Sequence, residues 1–124
     1  AKKDQQDFEG AITDFTEAIR FNPQMFEAYL NRGVTKQAQK NFEGAITDFT
    51  ETLRLNPQTA FAYYNRGFSK KESGNSQGAI EDWEKGLSIQ IHPEVQSGLI
   101  NLLKQQSREQ FMKKEWQGAI ESLL

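Results

Sequence analysis

The strongest constraint on this chain is a stretch of sixteen residues that recurs at a fixed interval. Residues 42–57 read FEGAITDFTETLRLNP and nearly copy residues 8–23, FEGAITDFTEAIRFNP, thirty-four residues earlier. A looser copy, SQGAIEDWEKGLSI, begins at Ser76, and a shorter one, WQGAIESLL, begins at Trp116. Self-similarity with a period of about 20–50 residues indicates a repeat protein, in which each unit packs mainly on its neighbours. The periodicity therefore favours a binding function over catalysis.

The composition agrees with an elongated array of such units. Only 36% of the 124 residues are hydrophobic and the mean hydropathy is −0.75, which suits an array because it has more surface per residue than a globule. Low hydropathy is also typical of disorder. Nine Phe, two Trp and three Tyr at regular spacing argue against disorder.

Charge and residue content exclude several classes of function. A net charge of −2 gives no basic excess for binding nucleic acid. The absence of cysteine and the single histidine argue against disulfides, metal sites and catalytic triads. No apolar run approaches the length of a membrane span, and no signal peptide is visible. We therefore expect a cytoplasmic protein that is not an enzyme and has no cofactor, metal or membrane insertion.

Each full unit carries the signals of two helices. In the second helix, apolar residues recur at helical spacing: Phe42, Ala45, Ile46, Phe49 and Leu53. Asp7, Asn41 and Asn75 precede the second helices as predicted N-caps, and Pro23 and Pro57 follow two of them as predicted terminators.

The predicted first helices also repeat, and each contains a glycine near its middle. Gly33 and Gly67 lie thirty-four residues apart, although glycine inside a helix costs roughly 1 kcal/mol relative to alanine. The repetition indicates that the paired helix approaches closely at these positions.

The third unit departs from the period. Pro93 and Gly118 are separated by twenty-five residues, against twenty-one between Pro57 and Gly78. The four extra residues correspond to about one helical turn, so we expect a longer helix from about Glu94 to Lys113. The chain also starts part-way through a first helix and stops at Leu124 inside a second, which suggests a fragment of a longer protein.

These residues resemble the tetratricopeptide repeat (TPR) family. In the unit that starts at Phe26, the family's preferred residues are matched by Tyr29, Gly33, Ala45, Phe49 and Pro57. The next unit matches with Tyr63, Gly67, Gly74, Ala79 and Trp83. Departures from the pattern are Ile91 in place of the proline, Gly86 in place of a small alanine, and Arg32 and Arg66 at a position that is often leucine.

The resemblance implies an all-α fold, an antiparallel helix-pair solenoid (TPR superhelix) with two complete and two partial repeats in a single domain, residues 1–124. The predicted units are approximately 1–25 (partial), 26–59, 60–93 and 94–124 (divergent and partial).

The resemblance also implies a concave groove, lined by the first helices, that binds an extended peptide or a partner helix. The predicted groove residues are Glu27, Leu30, Asn31, Val34, Phe61, Tyr64, Asn65, Phe68 and Lys71. Asn31 and Asn65 are equivalent, so their amides either form a ladder that holds a peptide backbone or bond within the scaffold. The apolar groove residues are either a contact site or core beneath a neighbouring helix.

Chaperone-binding members of the family clamp a terminal carboxylate with lysine, asparagine and arginine. Leu30 and Val34 stand where the preceding helix should provide lysine and asparagine. The sequence therefore does not support that clamp.

Acidic residues also recur at the period of the repeat, notably Asp14, Asp48 and Asp82. Because they follow one another along successive second helices, they do not converge as acid–base catalysis requires. We expect Arg32 to pair with Asp14 and Arg66 with Asp48, as exposed pairs worth about 0–1 kcal/mol each. His92 is expected to be a solvated loop residue.

The sequence thus predicts a protein–protein interaction scaffold with a protein or peptide partner of unknown identity and no nucleic acid. The alternatives are a structural self-association module and a recruitment domain of a larger enzyme or signalling protein.

Overall fold

The computed structural model describes the backbone of residues 2–123 and the side chains of residues 7–123. This part of the chain contains six helices and no strand: α1 (Lys2–Phe21), α2 (Phe26–Ala38), α3 (Phe42–Leu55), α4 (Ala60–Glu72), α5 (Ser76–Ile89) and α6 (Pro93–Leu123). The predicted all-α fold is confirmed. Residues 1 and 124, at the ends of the predicted units 1–25 and 94–124, lie outside the described residues, and the unit boundaries stay a prediction.

Helices α2 and α3 form one pair, and α4 and α5 form another. In the second pair, Tyr64 near the start of α4 contacts Gly86 near the end of α5, and its hydroxyl donates to the Gly86 carbonyl at 3.0 Å. Lys70, near the end of α4, reaches Asp82, one turn earlier on α5. The two helices therefore run antiparallel, and successive pairs stack side by side.

The turns inside both pairs use the same local chemistry. Lys40 and Gly74 have positive φ angles, of 64° and 90°, and an asparagine follows each of them. Asn41 Oδ1 accepts from the backbone N–H of Gly44 at 3.1 Å, and Asn75 Oδ1 accepts from the N–H of Gly78 at 2.9 Å. The predicted caps of α3 and α5 are confirmed, as are the ends of α1 and α3 before an Asn-Pro dipeptide.

Close helix contact explains both central glycines. A Cβ atom added to Gly33 would lie 2.7 Å from Phe49 Cε1, and one added to Gly67 would lie 2.6 Å from Trp83 Cδ1. These separations are too short for real atoms. The aromatic residue of each second helix therefore occupies the space that the glycine leaves, as the sequence predicted.

The main hydrophobic cluster lies between α4, α5 and the first half of α6. It comprises Ala60, Tyr64, Ala79, Ile80, Trp83 and Leu102, with Leu87, Ile89, Val95 and Leu99 packed around them. The Trp83 indole N–H donates to the backbone carbonyl of Tyr64 at 3.0 Å. This bond fixes the large ring in the position that Gly67 leaves open.

Two helix boundaries differ from the sequence prediction. Asp7 does not cap a helix, because α1 continues through it from Lys2 to Phe21. Helix α6 does not stop near Lys113 and runs on through the repeat-like segment that starts at Trp116, as far as Leu123. In both places the backbone groups bond within a continuous helix, and neither place has the positive φ angle that the turns at Lys40 and Gly74 use.

Candidate functional site

A cavity of about 340 Å³ opens on the face of α4, between that helix, α5 and the beginning of α6. Its lining residues are Phe61, Tyr64, Asn65, Phe68, Trp83, His92, Glu94 and Val95. Four of these, on α4, belong to the groove that the sequence predicted. Most of the wall is aromatic or aliphatic, and the polar groups are few, as is typical of ligand pockets.

Two phenylalanines of α4 stand at the open side of this cavity. Phe61 is 53% exposed and Phe68 is 42% exposed. The ring of Phe68 also meets the ring of Phe42 edge to face, with centroids 6.4 Å apart. Phe68 is therefore held from below by the preceding helix pair, while its outer face remains available.

Tyr64 forms the floor of the cavity and is only 7% exposed. Its hydroxyl donates to the carbonyl of Gly86, and burial raises the pKa of the Tyr64 phenol above its usual range. The phenol therefore remains neutral and bonded to the scaffold. The sequence placed Tyr64 on the groove face, and the structure shows a mainly buried residue whose ring lines the cavity.

Asn65 is partly committed to the scaffold. Its Nδ2 donates to the carbonyl of Phe61 one turn earlier, at 2.9 Å. Gln37 on α2 donates through Nε2 to the backbone carbonyl of Asn65 and to Ser69 Oγ, both at 3.0 Å. No described residue donates to Asn65 Oδ1, so the amide presents one acceptor at the cavity rim.

His92 lies in the loop between α5 and α6, as predicted, but it forms part of the cavity wall instead of being solvated. It is half-buried, with its ring centroid 5.5 Å from that of Tyr64. Its carbonyl accepts from the N–H of Gln96 at 2.9 Å, and its Nδ1 lies 3.4 Å from the N–H of Val95. His92 thus occupies the N-cap of α6, directly before Pro93 at the first helical position.

The remaining predicted groove residues do not line this cavity. Four lie on α2, one helix pair earlier: Glu27 and Asn31 are exposed, and Leu30 and Val34 are half-buried. Lys71 is exposed in the last turn of α4. They extend the same face along the array rather than closing around one point.

Two arginines join the helix pairs, and their partners differ from the prediction. Arg32 pairs with Asp48, not Asp14, through Nη2–Oδ1 and Nε–Oδ2 separations of 2.7 and 2.9 Å. Arg66 pairs with Asp82, not Asp48, at 2.7 and 2.8 Å. Each arginine faces the second helix of its own pair because the antiparallel packing brings that helix closer than the preceding one.

Each carboxylate also receives a lysine, and the pairs are largely buried. Lys36 Nζ lies 3.1 Å from Asp48, and Lys70 Nζ lies 3.0 Å from Asp82. The Asp48 and Asp82 side chains are only 2% and 6% exposed. The expectation of weak, exposed pairs is therefore wrong.

A threonine of the preceding helix, α1 or α3, completes each cluster. Arg32 Nη1 donates to Thr16 Oγ1 at 3.2 Å, and Arg66 Nη1 donates to Thr50 Oγ1 at 3.3 Å. The Asp48 and Asp82 hydrogen bonds raise the pKa of the two guanidinium groups. We call each set of threonine, arginine, aspartate and lysine a junction cluster. These clusters join each helix pair to the helix before it and commit the carboxylates of Asp48 and Asp82 to ion pairs.

Sequence reasoning missed the part of the cavity that comes from outside α4. Trp83 was assigned to the scaffold, and Glu94 and Val95 to a long helix of unknown role. The signal for the site was the dipeptide His92-Pro93, since proline is favoured at the first position of a helix and the residue before it can act as the N-cap. That helix start closes one side of the cavity.

In the part of the chain that the structure describes, no group of three His, Asp or Glu side chains could hold a metal ion. None of the six described helices is both long and apolar enough to cross a membrane.

Antiparallel helix pairs that repeat every thirty-four residues, joined by the same contacts, define a helical-repeat solenoid. Family models agree: one described as TPR repeat matches residues 1–40, and one described as tetratricopeptide repeat matches residues 26–59. The chain belongs to the tetratricopeptide repeat family. No curated protein sequence is significantly similar to it.

Solved structures share the fold at low sequence identity. The first TPR of Spaghetti (RPAP3), bound to the HSP90 peptide SRMEEVD, is 22% identical, with a TM-score of 0.79 over 83% of this chain and 82% of that one. The Arabidopsis OM64 TPR domain is 23% identical, with a TM-score of 0.76 over 81% and 84%. The N-terminal domain of stress-induced protein-1 from C. elegans is 21% identical, with a TM-score of 0.72 over 79% and 83%.

Proposed function

We propose that this chain is a non-catalytic interaction scaffold that binds a peptide or partner helix along the face of α2 and α4. The observation that supports it is the cavity beside two exposed phenylalanines on α4. Its volume of about 340 Å³ lies at the low end of ligand pockets. It suits one or two bulky apolar side chains of a longer ligand, and such anchors in pockets dominate binding energy.

Polar groups at the rim of the cavity are placed to form hydrogen bonds with the backbone of the ligand. Asn65 Oδ1 offers an acceptor to a peptide N–H, and the amide of Asn31 on α2 extends the same face. The ladder of two amides predicted from the sequence remains part of this proposal. Shape and apolar burial would provide affinity, and the amides would fix the register of the ligand.

The residues on the proposed ligand face of this chain do not suit a peptide with an acidic C-terminal end. The Spaghetti (RPAP3) domain is bound to a peptide that ends in Glu-Val-Asp. In this chain, Lys36 and Lys70 are occupied by Asp48 and Asp82, and Phe61 and Leu30 stand on the ligand face. We therefore expect an apolar or aromatic anchor rather than a terminal carboxylate.

The test is selection from a random peptide library displayed against the folded protein, followed by calorimetry on the selected peptides. Peptides with a bulky apolar residue are expected to bind the Phe61→Ala and Phe68→Ala variants at least tenfold more weakly than wild type. Phe21→Ala is the matched control, since Phe21 is 79% exposed at the end of α1, away from the cavity. Peptides that bind all variants equally would contradict the site.

The amides need a separate test on the same peptides. Asn31→Ala/Asn65→Ala is expected to weaken binding while leaving the circular dichroism spectrum unchanged. Equal affinity for wild type and the double variant would remove the amide ladder from the proposal and leave the apolar anchor.

A further inference from the structure

The last part of α6 carries the sequence of a second helix but has no helix packed on it. Trp116, Ala119, Ile120 and Leu123 correspond to Phe42, Ala45, Ile46 and Phe49 of α3. Ala45 and Phe49 are fully buried. Trp116, Ile120 and Leu123 are 71%, 41% and 87% exposed. The residues that form the core elsewhere in the array thus face solvent here.

The continuous helix explains why they are uncovered. In the other pairs, the second helix folds back on the first through a turn at Lys40-Asn41 or Gly74-Asn75. Lys114 and Glu115 occupy the equivalent positions in α6, without the asparagine cap. A straight helix of 31 residues is about 46 Å long. Its two halves point away from each other and cannot pack together.

The first half of α6 is packed on one side only. Val95, Leu99 and Leu102 contact the core beside α5, and Gln106 Nε2 donates to Gln77 Oε1 at 3.0 Å. Every described residue from Ser107 to the end of α6 is exposed. Helix α6 therefore combines a segment that corresponds to a first helix with one that corresponds to a second helix. Neither segment packs on the other, as the two helices of the pairs α2–α3 and α4–α5 do.

Charge along α6 is arranged so that one half complements the other. Residues 103–114 contain four basic residues and one acidic residue, whereas residues 115–123 contain two acidic residues and no basic one. Lys104 and Arg108 are four residues apart, like the Arg32–Lys36 and Arg66–Lys70 pairs that hold an aspartate of the second helix. No described carboxylate lies within 4.0 Å of Lys104 or Arg108.

We propose that α6 mediates exchange between two copies of this chain. The two α6 helices lie antiparallel about a two-fold axis, and residues 114–123 of each copy cover residues 100–113 of the other. Each copy thereby receives the helix contact that its own straight α6 prevents. Exchange of identical elements is a low-cost route to symmetric dimers.

The apolar face of the second half of α6 is the surface that such a dimer would bury. Trp116 is 71% exposed, so covering its ring in both copies buries on the order of 200–350 Å². Met112, Ile120 and Leu123 from both copies add six aliphatic side chains. These side chains and the partner surface that they cover together contribute toward the roughly 1,200–2,000 Å² of specific interfaces.

Sedimentation velocity on the chain, from low micromolar to several hundred micromolar concentration, gives the first test. The mass is expected to rise from 14.2 kDa toward twice that value as concentration increases. Trp116→Glu/Ile120→Glu is expected to remain monomeric throughout. The matched control is Phe21→Glu/Ile91→Glu, which charges two exposed apolar residues outside α6 and is expected to dimerise like wild type.

A second variant tests exchange itself. Lys114→Gly/Glu115→Asn installs the turn chemistry of Gly74-Asn75, so that residues 116–123 fold back on their own α6. It is expected to be monomeric, with Trp116 fluorescence shifted to shorter wavelength as the indole is buried. Wild type that stays monomeric at every concentration would overturn the proposal. So would a dimer that survives either α6 variant. Neither variant alters the cavity on α4, so the proposed ligand site is tested independently.

Discussion

At the scale of single residues, the junction clusters are the least expected feature of the fold, because they bury charged side chains where an apolar contact is usual. A leucine at position 32 or 66 would give an ordinary apolar contact, but this chain places an arginine there and a buried aspartate opposite. Within the described residues, every buried side-chain nitrogen or oxygen has a hydrogen-bond partner. The clusters are therefore fully satisfied, which is the condition under which buried charge is tolerated.

Removing one carboxylate leaves two cations largely buried without an anion. Asp82→Asn is expected to lower the free energy of unfolding by about 2–3 kcal/mol, since Arg66 and Lys70 keep their charge but lose their counter-ion. Urea denaturation followed by circular dichroism measures this. Glu17→Gln is the control, because Glu17 and Arg20 form an exposed pair at 3.9 Å, and no measurable change is expected. A stable Asp82→Asn variant would show that the cluster is dispensable.

The central glycine of α4 gives a second residue-scale prediction. Gly67→Ala places a methyl group 2.6 Å from Trp83 Cδ1 and 3.2 Å from the carbonyl of Ala79, so α4 and α5 must separate. We expect a loss of about 1–3 kcal/mol in unfolding free energy, against the gain that alanine normally brings to a helix.

Gly10→Ala is the matched control, because Gly10 lies in α1 with no atom within 4 Å of an added Cβ. That variant is expected to gain about 0.5–1 kcal/mol from helix propensity. The thermal unfolding midpoints of Gly67→Ala and Gly10→Ala, each compared with wild type, measure these two effects. Equal shifts of the same sign would mean that close packing is not the reason for Gly67.

At the scale of helices, the turns inside the pairs decide where one helix stops and the next begins. Asn75→Ala removes the acceptor for the N–H of Gly78, and we expect a loss of about 1 kcal/mol. Asn101→Ala, at an exposed position inside α6, is the control and is expected to leave stability unchanged or slightly raised. An unchanged midpoint for Asn75→Ala would contradict the role of this cap.

The sequence predicted those helix features that depend on local or strictly periodic signals. The asparagine caps of α3 and α5 and the glycine contacts all follow from residues that recur at thirty-four. The continuous α6 did not follow, because the segment at Trp116 reads as a new helix while Glu115 lacks the side chain that caps one. Around Glu115 the chain can form either a turn or a continuous helix. The continuous helix is favoured because it keeps every backbone hydrogen bond.

The junction partners and the cavity were harder to predict for a different reason. Asp14, Asp48 and Asp82 recur at the same spacing, so the sequence offers each arginine two equivalent partners, and only helix packing distinguishes them. Likewise, the groove residues Phe61 and Phe68 are visible on α4, but His92 and Val95 reach them only after α6 is positioned. The α4 part of the candidate site was thus predictable, and the far wall was not.

At the scale of the whole molecule, the contacts predict uneven stability along the array. Buried residues are concentrated in α2 to α5, whereas the described side chains of α1 include none and those of α6 include Leu102 alone. Backbone amides that open only with the packed core exchange slowest. We expect the slowest exchange in α3, α4 and α5 and the fastest in residues 107–123.

Hydrogen exchange with mass spectrometry measures this gradient, at concentrations where Trp116→Glu/Ile120→Glu is monomeric. In that variant, residues 107–123 are expected to exchange fully before α5 begins to. Uniform protection along the whole chain would indicate a single cooperative unit instead of coupled neighbours.

The junction clusters have a consequence for how such an array can grow. A duplicated block of thirty-four residues, such as 26–59, contains an arginine and lysine for its own aspartate and a threonine for the arginine that follows. Inserted after Thr59, the copy would meet Thr50 with its arginine and offer its threonine to Arg66. Every new junction would then form from residues already present, so whole units can be added or removed without redesigning a boundary.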